Sequence, residues 1–209
     1  MNPLDAHDIV TTLGTLGVIA ALFIETGLLI GLFLPGDSLL FVAGLAASGT
    51  AREIFGDQLS YTTLMIWAPM AATAGSQVGH WLGAKYGKPF FDRPDSRFFN
   101  QERVQQTERW LLKYGLGKAL ILSHFIPFVR TLLNPLCGIV GIPAKKFFFW
   151  NVIGSYLWTV GIISAGYVLG EKLKGSVDKY LLPIVGLIIV ASLVPIALEI
   201  LKNRKSKES

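Results

Sequence analysis

The sequence predicts an all-α integral membrane protein arranged as an inverted repeat. Two opposed re-entrant helical hairpins, about three full transmembrane helices and one interfacial amphipathic helix form a single membrane domain over 1–209. Three observations predict this class. Of 209 residues, 52% are hydrophobic and only 16% are charged, against about 25% charged in soluble domains, and the mean hydropathy is +0.51. Apolar residues gather in five regions, 9–48, 61–84, 118–143, 147–170 and 180–201, each near or above the roughly 20 residues a spanning helix needs. Two of these regions are interrupted by proline, glycine and charge.

The first region, 9–48, is long enough for two passes. Inside it, "ETGLLIGLFLPGDSLL" carries Glu25, the Leu34-Pro35-Gly36 break and Asp37. Proline lacks the N–H that continues a helix, so a hairpin is expected, opening to the outside. Two full spans would leave the N-terminus on the same side, so charge does not separate these readings. Region 61–84 reads as a transmembrane helix. Its Gly79, Gly83 and Gly87 allow close helix packing, and also allow helix dimerisation. Segment 85–118 is polar with scattered aromatics, and 98–114 fits an interfacial amphipathic helix. Region 118–143 contains "HFIPFVRTLLNPLCG", in which Pro127, Pro135 and Gly138 are expected to break a continuous helix. Regions 147–170 and 180–201 read as full transmembrane helices, followed by a basic tail over 202–209.

Charge sets the orientation. Segment 85–118 has eight basic residues against four acidic ones, and the tail has four basic residues. Basic loops stay cytoplasmic, so both lie inside with Lys145 and Lys146, while 50–60 and 170–180 lie outside. Region 118–143 then starts and ends inside, and must be a second hairpin, opposed to the first. The halves also resemble each other: "LFLPGDSLL" parallels "HFIPFVRTLL", and each is followed by a Gly-Ser step, Gly75-Ser76 and Gly154-Ser155. Paired broken segments of opposite orientation suit a transporter. The formal net charge of +5 is thereby explained by cytoplasmic loops, with no nucleic-acid partner expected. A single cysteine, Cys137, rules out an internal disulfide and a cysteine metal cluster. The acidic start, "MNPLDAHDIV", does not read as a cleavable signal peptide.

Non-helical backbone at membrane depth is tolerated only where protein or water satisfies it, so the Leu34–Asp37 break implies a polar cavity or pocket. Asp37 can cap the returning half-helix or take part in coupling to a cation. Glu25 has no capping role, and a carboxylate at a helix centre costs about 2.5–3.5 kcal/mol on insertion scales. It is read as a coupling group, with structural pairing to Arg130 as the alternative. Arg130, in the second broken segment, offers a planar fork suited to phosphate or carboxylate. His124 lies six residues earlier and titrates near neutral pH when unperturbed. Gln77, Asn134 and Asn151 can line the cavity or hydrogen-bond neighbouring helices. Together these residues suit an anionic substrate moved with a proton or another cation.

At these residues the chain resembles the DedA family, related to the SNARE-associated Golgi proteins. "FIETGLLIGLFLPGDSLLFVAG", "HFIPFVRTLLNPLCGIVGIP" and "WNVIGSYLWTVGIISAGYVLG" carry the resemblance, over about residues 15–170. It implies two opposed re-entrant hairpins in the bacterial inner membrane, and return of undecaprenyl phosphate across it, driven by the proton motive force or sodium. It implies coupling roles for Glu25 and Asp37 and phosphate binding at Arg130. An arginine is usual at the position of His124, so His124 is expected to bind phosphate when protonated or to titrate in its place. A second departure is Gly75-Ser76-Gln77, where an acid commonly precedes the glutamine. The function expected is translocation of a lipid-linked phosphate. An ion or small-solute antiporter, and less so a membrane lipid phosphatase, are the alternatives. A phosphatase needs an activated nucleophile and several basic groups, which the sequence does not supply. No catalytic residue, cofactor or metal is expected. The expected partners are an anionic or polyprenyl phosphate lipid, protons or sodium ions, membrane lipids and, through helix dimerisation, a second copy of the chain as a homodimer.

Overall fold

The computed structural model describes residues 6–28, 36–49, 59–91 and 101–172. They form seven α-helices: α1 Ala6–Gly27, α2 Gly36–Ala46, α3 Tyr61–Phe91, α4 Gln101–Tyr114, α5 Leu116–Ser123, α6 Pro127–Ile139 and α7 Ala144–Lys172. No strand occurs among the described residues. Residues 29–35, which include Leu34-Pro35, most of 50–60, the helix expected over 180–201 and the basic tail lie outside the described residues.

Local chemistry explains the element ends. Gly14 adopts φ 56°, which glycine reaches without a Cβ clash, and kinks α1 so that Leu13–Gly27 forms its apolar part. The expected helix over 61–84 runs on to Phe91, into the segment read as polar. The polar helix expected over 98–114 is described from Gln101 to Tyr114. In the second broken segment the interruption lies at His124–Ile126, where i→i+3 bonds tighten the chain before Pro127 starts α6. Proline suits that first position, where its missing N–H has no partner to lose. Contrary to the sequence reading, Pro135 and Gly138 do not interrupt the helix; both lie inside α6. The missing bond at Pro135 is tolerated because neighbouring helices hold the local backbone.

The helices exchange partners between the two halves. α1 packs on α3, and α5 on α7; α2 packs on α7, and α6 on α3. Glycines set the two exchanged crossings. Gly44 of α2 meets the backbone of Ile163, and Gly166 of α7 meets that of Phe41; Gly83 of α3 meets Pro135, and Gly138 of α6 meets the carbonyl of His80. A methyl group at any of them would strike backbone, so the helices approach only because these side chains are missing. Gly79 meets the Gly27 carbonyl of α1 and Asn134 of α6, and Gly87 meets Ile139 of α6, so the glycine series on α3 is taken up by packing within the chain.

One core cluster, with Val18, Leu22, Leu40, Leu64, Trp158 and Ile163, joins α1, α2, α3 and α7. A second, with Leu120, Leu133, Cys137 and Phe147, joins α5, α6 and α7. Outside these, large apolar side chains face outwards, including Trp67, Met70 and Trp81 on α3 and Phe148, Phe149, Leu157 and Val168 on α7. An apolar exterior over the helix faces is what a lipid solvent selects. Among the described residues, α7 is long and apolar enough to cross a membrane; α3 is longer, but Ser76, Gln77 and His80 fall near its middle.

Candidate functional site

The broken segment between α5 and α6 builds the site. Its turn leaves the His124 carbonyl without a helical successor, and Arg130 Nη1, one turn into α6, donates to it at 3.2 Å. Arg130 is thus aimed back at the break, and is itself 1% exposed.

Two acids converge on its guanidinium. Nη2 donates to Glu25 Oε1 from α1, and Nη1 to Asp37 Oδ1 from α2 at 3.3 Å. The guanidinium lies over the Trp158 ring of α7, 3.8 Å from its centroid. A desolvated cation–π contact is worth about 2 kcal/mol. Trp158 Nε1 also donates to Asp37 Oδ1 at 2.8 Å. Four helices and both halves of the chain therefore meet on one cation. Glu25 is almost fully buried, whereas the Asp37 side chain is 31% exposed. With both carboxylates ionised, the cluster has two negative charges against one positive.

Gly36 is part of this geometry. Its Cα lies against the Glu25 carboxylate, and a Cβ there would overlap both oxygens. The glycine that reads in sequence as a helix breaker also makes room for the buried acid. Asp37 lies in the first turn of α2, where a negative charge suits the helix dipole, with its carboxylate directed to Arg130 and Trp158.

The His124 ring points away from the guanidinium, towards α7. Nδ1 faces the Leu120 carbonyl at 2.8 Å, and because a carbonyl only accepts, Nδ1 carries the proton. Nε2 faces Asn151 Oδ1 at 3.2 Å and Ser155 Oγ at 3.1 Å. Asn151 Nδ2 in turn donates to the Thr73 carbonyl of α3 at 3.1 Å. The Ser155–His124 distance meets the reach required of a nucleophile and base. Ser155 also bonds to Asn151, however, and all three are fully or almost fully buried; a network tying the end of α5 to α7 and α3 accounts for them. Asn134 Nδ2 donates to the Thr26 carbonyl of α1 at 3.0 Å. Gln77 is half-buried, with Oε1 left without a partner among the described residues, as are Thr73 Oγ1 and Ser76 Oγ on the same helix. Among the described residues no cluster of His, Cys, Asp and Glu could hold a metal ion.

The sequence reading missed Trp158, Ser155 and the second role of Gly36. For the first two a signal exists: Asn151, Ser155 and Thr159 recur every four residues on α7, a polar stripe in an apolar helix, and Trp158 adjoins it.

Residues 10–168 match the VTT domain. The chain belongs to the VTT-domain family. The match takes in all the residues around Arg130 described above. The chain is 36% identical over 185 residues to Protein DedA of Escherichia coli K12, covering 88% of this chain and 81% of that protein. It is 34% identical over 158 residues to an uncharacterized membrane protein of Mycobacterium tuberculosis H37Rv, covering 74% and 65%. It is 32% identical over 155 residues to the inner membrane protein YqjA of E. coli K12, covering 72% and 64%. No solved structure matches. This VTT-domain chain is a membrane protein, in line with its exposed apolar side chains and with two relatives that are named as membrane proteins.

Proposed function

We propose that this protein carries a lipid-linked phosphate, of the undecaprenyl phosphate class, across the bacterial inner membrane, coupled to a proton or sodium gradient. The observation that carries the reading is the buried Arg130 gripped by Glu25 and Asp37 from two other helices. Intramembrane charges mark substrate or ion pathways, and a guanidinium fork suits phosphate. The protein acts as a transporter and not as an enzyme. The test is uptake of radiolabelled undecaprenyl phosphate into proteoliposomes with and without a proton or sodium gradient. Gradient-dependent uptake is expected. Movement of a small anion with no movement of the lipid would favour a small-solute antiporter.

The architecture proposed is the pair of opposed hairpins, with 9–48 open to the outside and 118–143 to the inside. The exchanged packing of α2 on α7 and α6 on α3 supports it, because such reciprocity follows from two similar halves facing each other. Segment 85–118 and the tail are then cytoplasmic, in line with their basic excess. Single cysteines introduced there, in a Cys137→Ser background, are expected to resist an impermeant thiol reagent added to spheroplasts. Labelling of 85–118 from outside would reverse the topology.

A further inference from the structure

Arg130 is the cation that an anion would seek, yet both of its terminal nitrogens are engaged by the chain's own carboxylates. Trp158 covers one face of the guanidinium, and Nε is the guanidinium nitrogen with no partner among the described residues. With both acids ionised, an added phosphate monoester therefore meets a site that already carries surplus negative charge. It can form paired N–H contacts only by displacing a carboxylate.

The two acids are not equivalent. The Asp37 side chain is partly exposed, and Trp158 Nε1 holds its Oδ1 independently of Arg130. It can leave the guanidinium and stay hydrogen-bonded. Glu25 is enclosed, pressed against Gly36, and has nowhere hydrated to go. Once an anion has taken the arginine's charge, an ionised Glu25 would keep the Gly36 backbone N–H but have no counter-ion, a cost of several kcal/mol. The other groups around Arg130 do not relieve this. The His124 ring of the α5–α6 turn faces α7. Trp158 and Ser155 of α7 carry no charge. His80 of α3 bonds to the Ile142 carbonyl and stacks on Phe147, beyond the far end of α6.

We propose that a phosphate monoester replaces Asp37 on Arg130 and that Glu25 takes up one proton in the same event, so that anion and proton occupy the site together. No covalent bond changes; one proton passes from solvent to the Glu25 carboxylate. The proposal rests on the phosphate-carrier reading and supplies its coupling rule. The anion recruits the proton, in a fixed ratio, through one arginine.

The test uses the purified full chain in detergent and farnesyl phosphate, a short polyprenyl phosphate monoester, with inorganic phosphate and farnesol as parallel probes. Calorimetry in buffers of different ionisation enthalpy reads the protons taken up per ligand bound. Wild type is expected to take up about one. Glu25→Gln is expected to bind with none, and its affinity should fall less steeply with pH, by about tenfold per pH unit for the one linked proton lost. The phosphate's own ionisation affects both proteins alike and cancels in the comparison. Asp37→Asn is expected to keep the proton uptake and to bind several-fold more tightly at neutral pH, since a competitor is gone. Farnesol should bind without proton uptake. Inorganic phosphate binding as tightly as farnesyl phosphate would assign the site to a free anion rather than a lipid headgroup. Binding to wild type with no proton uptake, or uptake undiminished in Glu25→Gln, overturns the coupling rule and leaves the carrier reading standing. No binding of either phosphate to wild type or Asp37→Asn overturns both.

Discussion

Arg130→Ala is expected to abolish transport and to destabilise the folded protein by about 3–5 kcal/mol, the usual cost of removing one partner from a buried ion pair. The substitution leaves Glu25 enclosed without a counter-ion, removes the contact with Trp158 and strips the His124 carbonyl of its donor. Arg130→Lys separates charge from shape. An ammonium keeps the charge, but it cannot lie flat on the indole while donating along two fixed directions. It is expected to recover most of the stability and less than about a tenth of the transport. Thermal unfolding in detergent and gradient-driven uptake, measured on one preparation, check both parts. Full transport by Arg130→Lys would show that charge alone suffices and would remove the fork from the account.

Glu25→Gln is expected to give a stable protein that reaches the membrane and does not accumulate substrate against a gradient. Arg130 keeps Asp37, Trp158 and the His124 carbonyl, so losing one charge-assisted bond costs about 1.5–3 kcal/mol and leaves the fold intact. The amide accepts from the guanidinium but carries no exchangeable charge. Asp37→Asn is expected to fail in the same assay but to unfold within about 1 kcal/mol of wild type, because its side chain is partly exposed and an exposed ion pair contributes little. Full gradient-dependent transport by a stable Glu25→Gln protein would take Glu25 out of the mechanism.

Much of this protein was legible in its sequence because membrane helices write their physics plainly. Low charge and long apolar regions announced a lipid setting. Pro127 marked a break, because a ring that fixes φ and removes a donor acts wherever it sits. Glu25 and Arg130 stood out because ionised groups in apolar context are costly enough to need a reason, and their pairing was one of the two readings that cost allows. Pro135 misled for the same local logic: a proline inside a helix is tolerated when packing fixes the turn around it, and Gly83 of α3 sets that packing from more than 50 positions away.

What the sequence determined by itself is therefore chemical and local: the class of solvent, where helices start, and which side chains need explanation. What only the tertiary structure decided is who meets whom. Glu25, Asp37, Arg130 and Trp158 lie up to 133 positions apart in the chain and come together because glycines let α2 close on α7 and α6 close on α3. The His124 ring could as well have turned to Arg130 as to Asn151, since its neighbours in sequence do not bias that choice. Gly36 shows the division within one residue. Its propensity to break a helix is intrinsic, but the space it leaves for a carboxylate exists only once α1 lies beside α2, because steric exclusion is a property of neighbours in space.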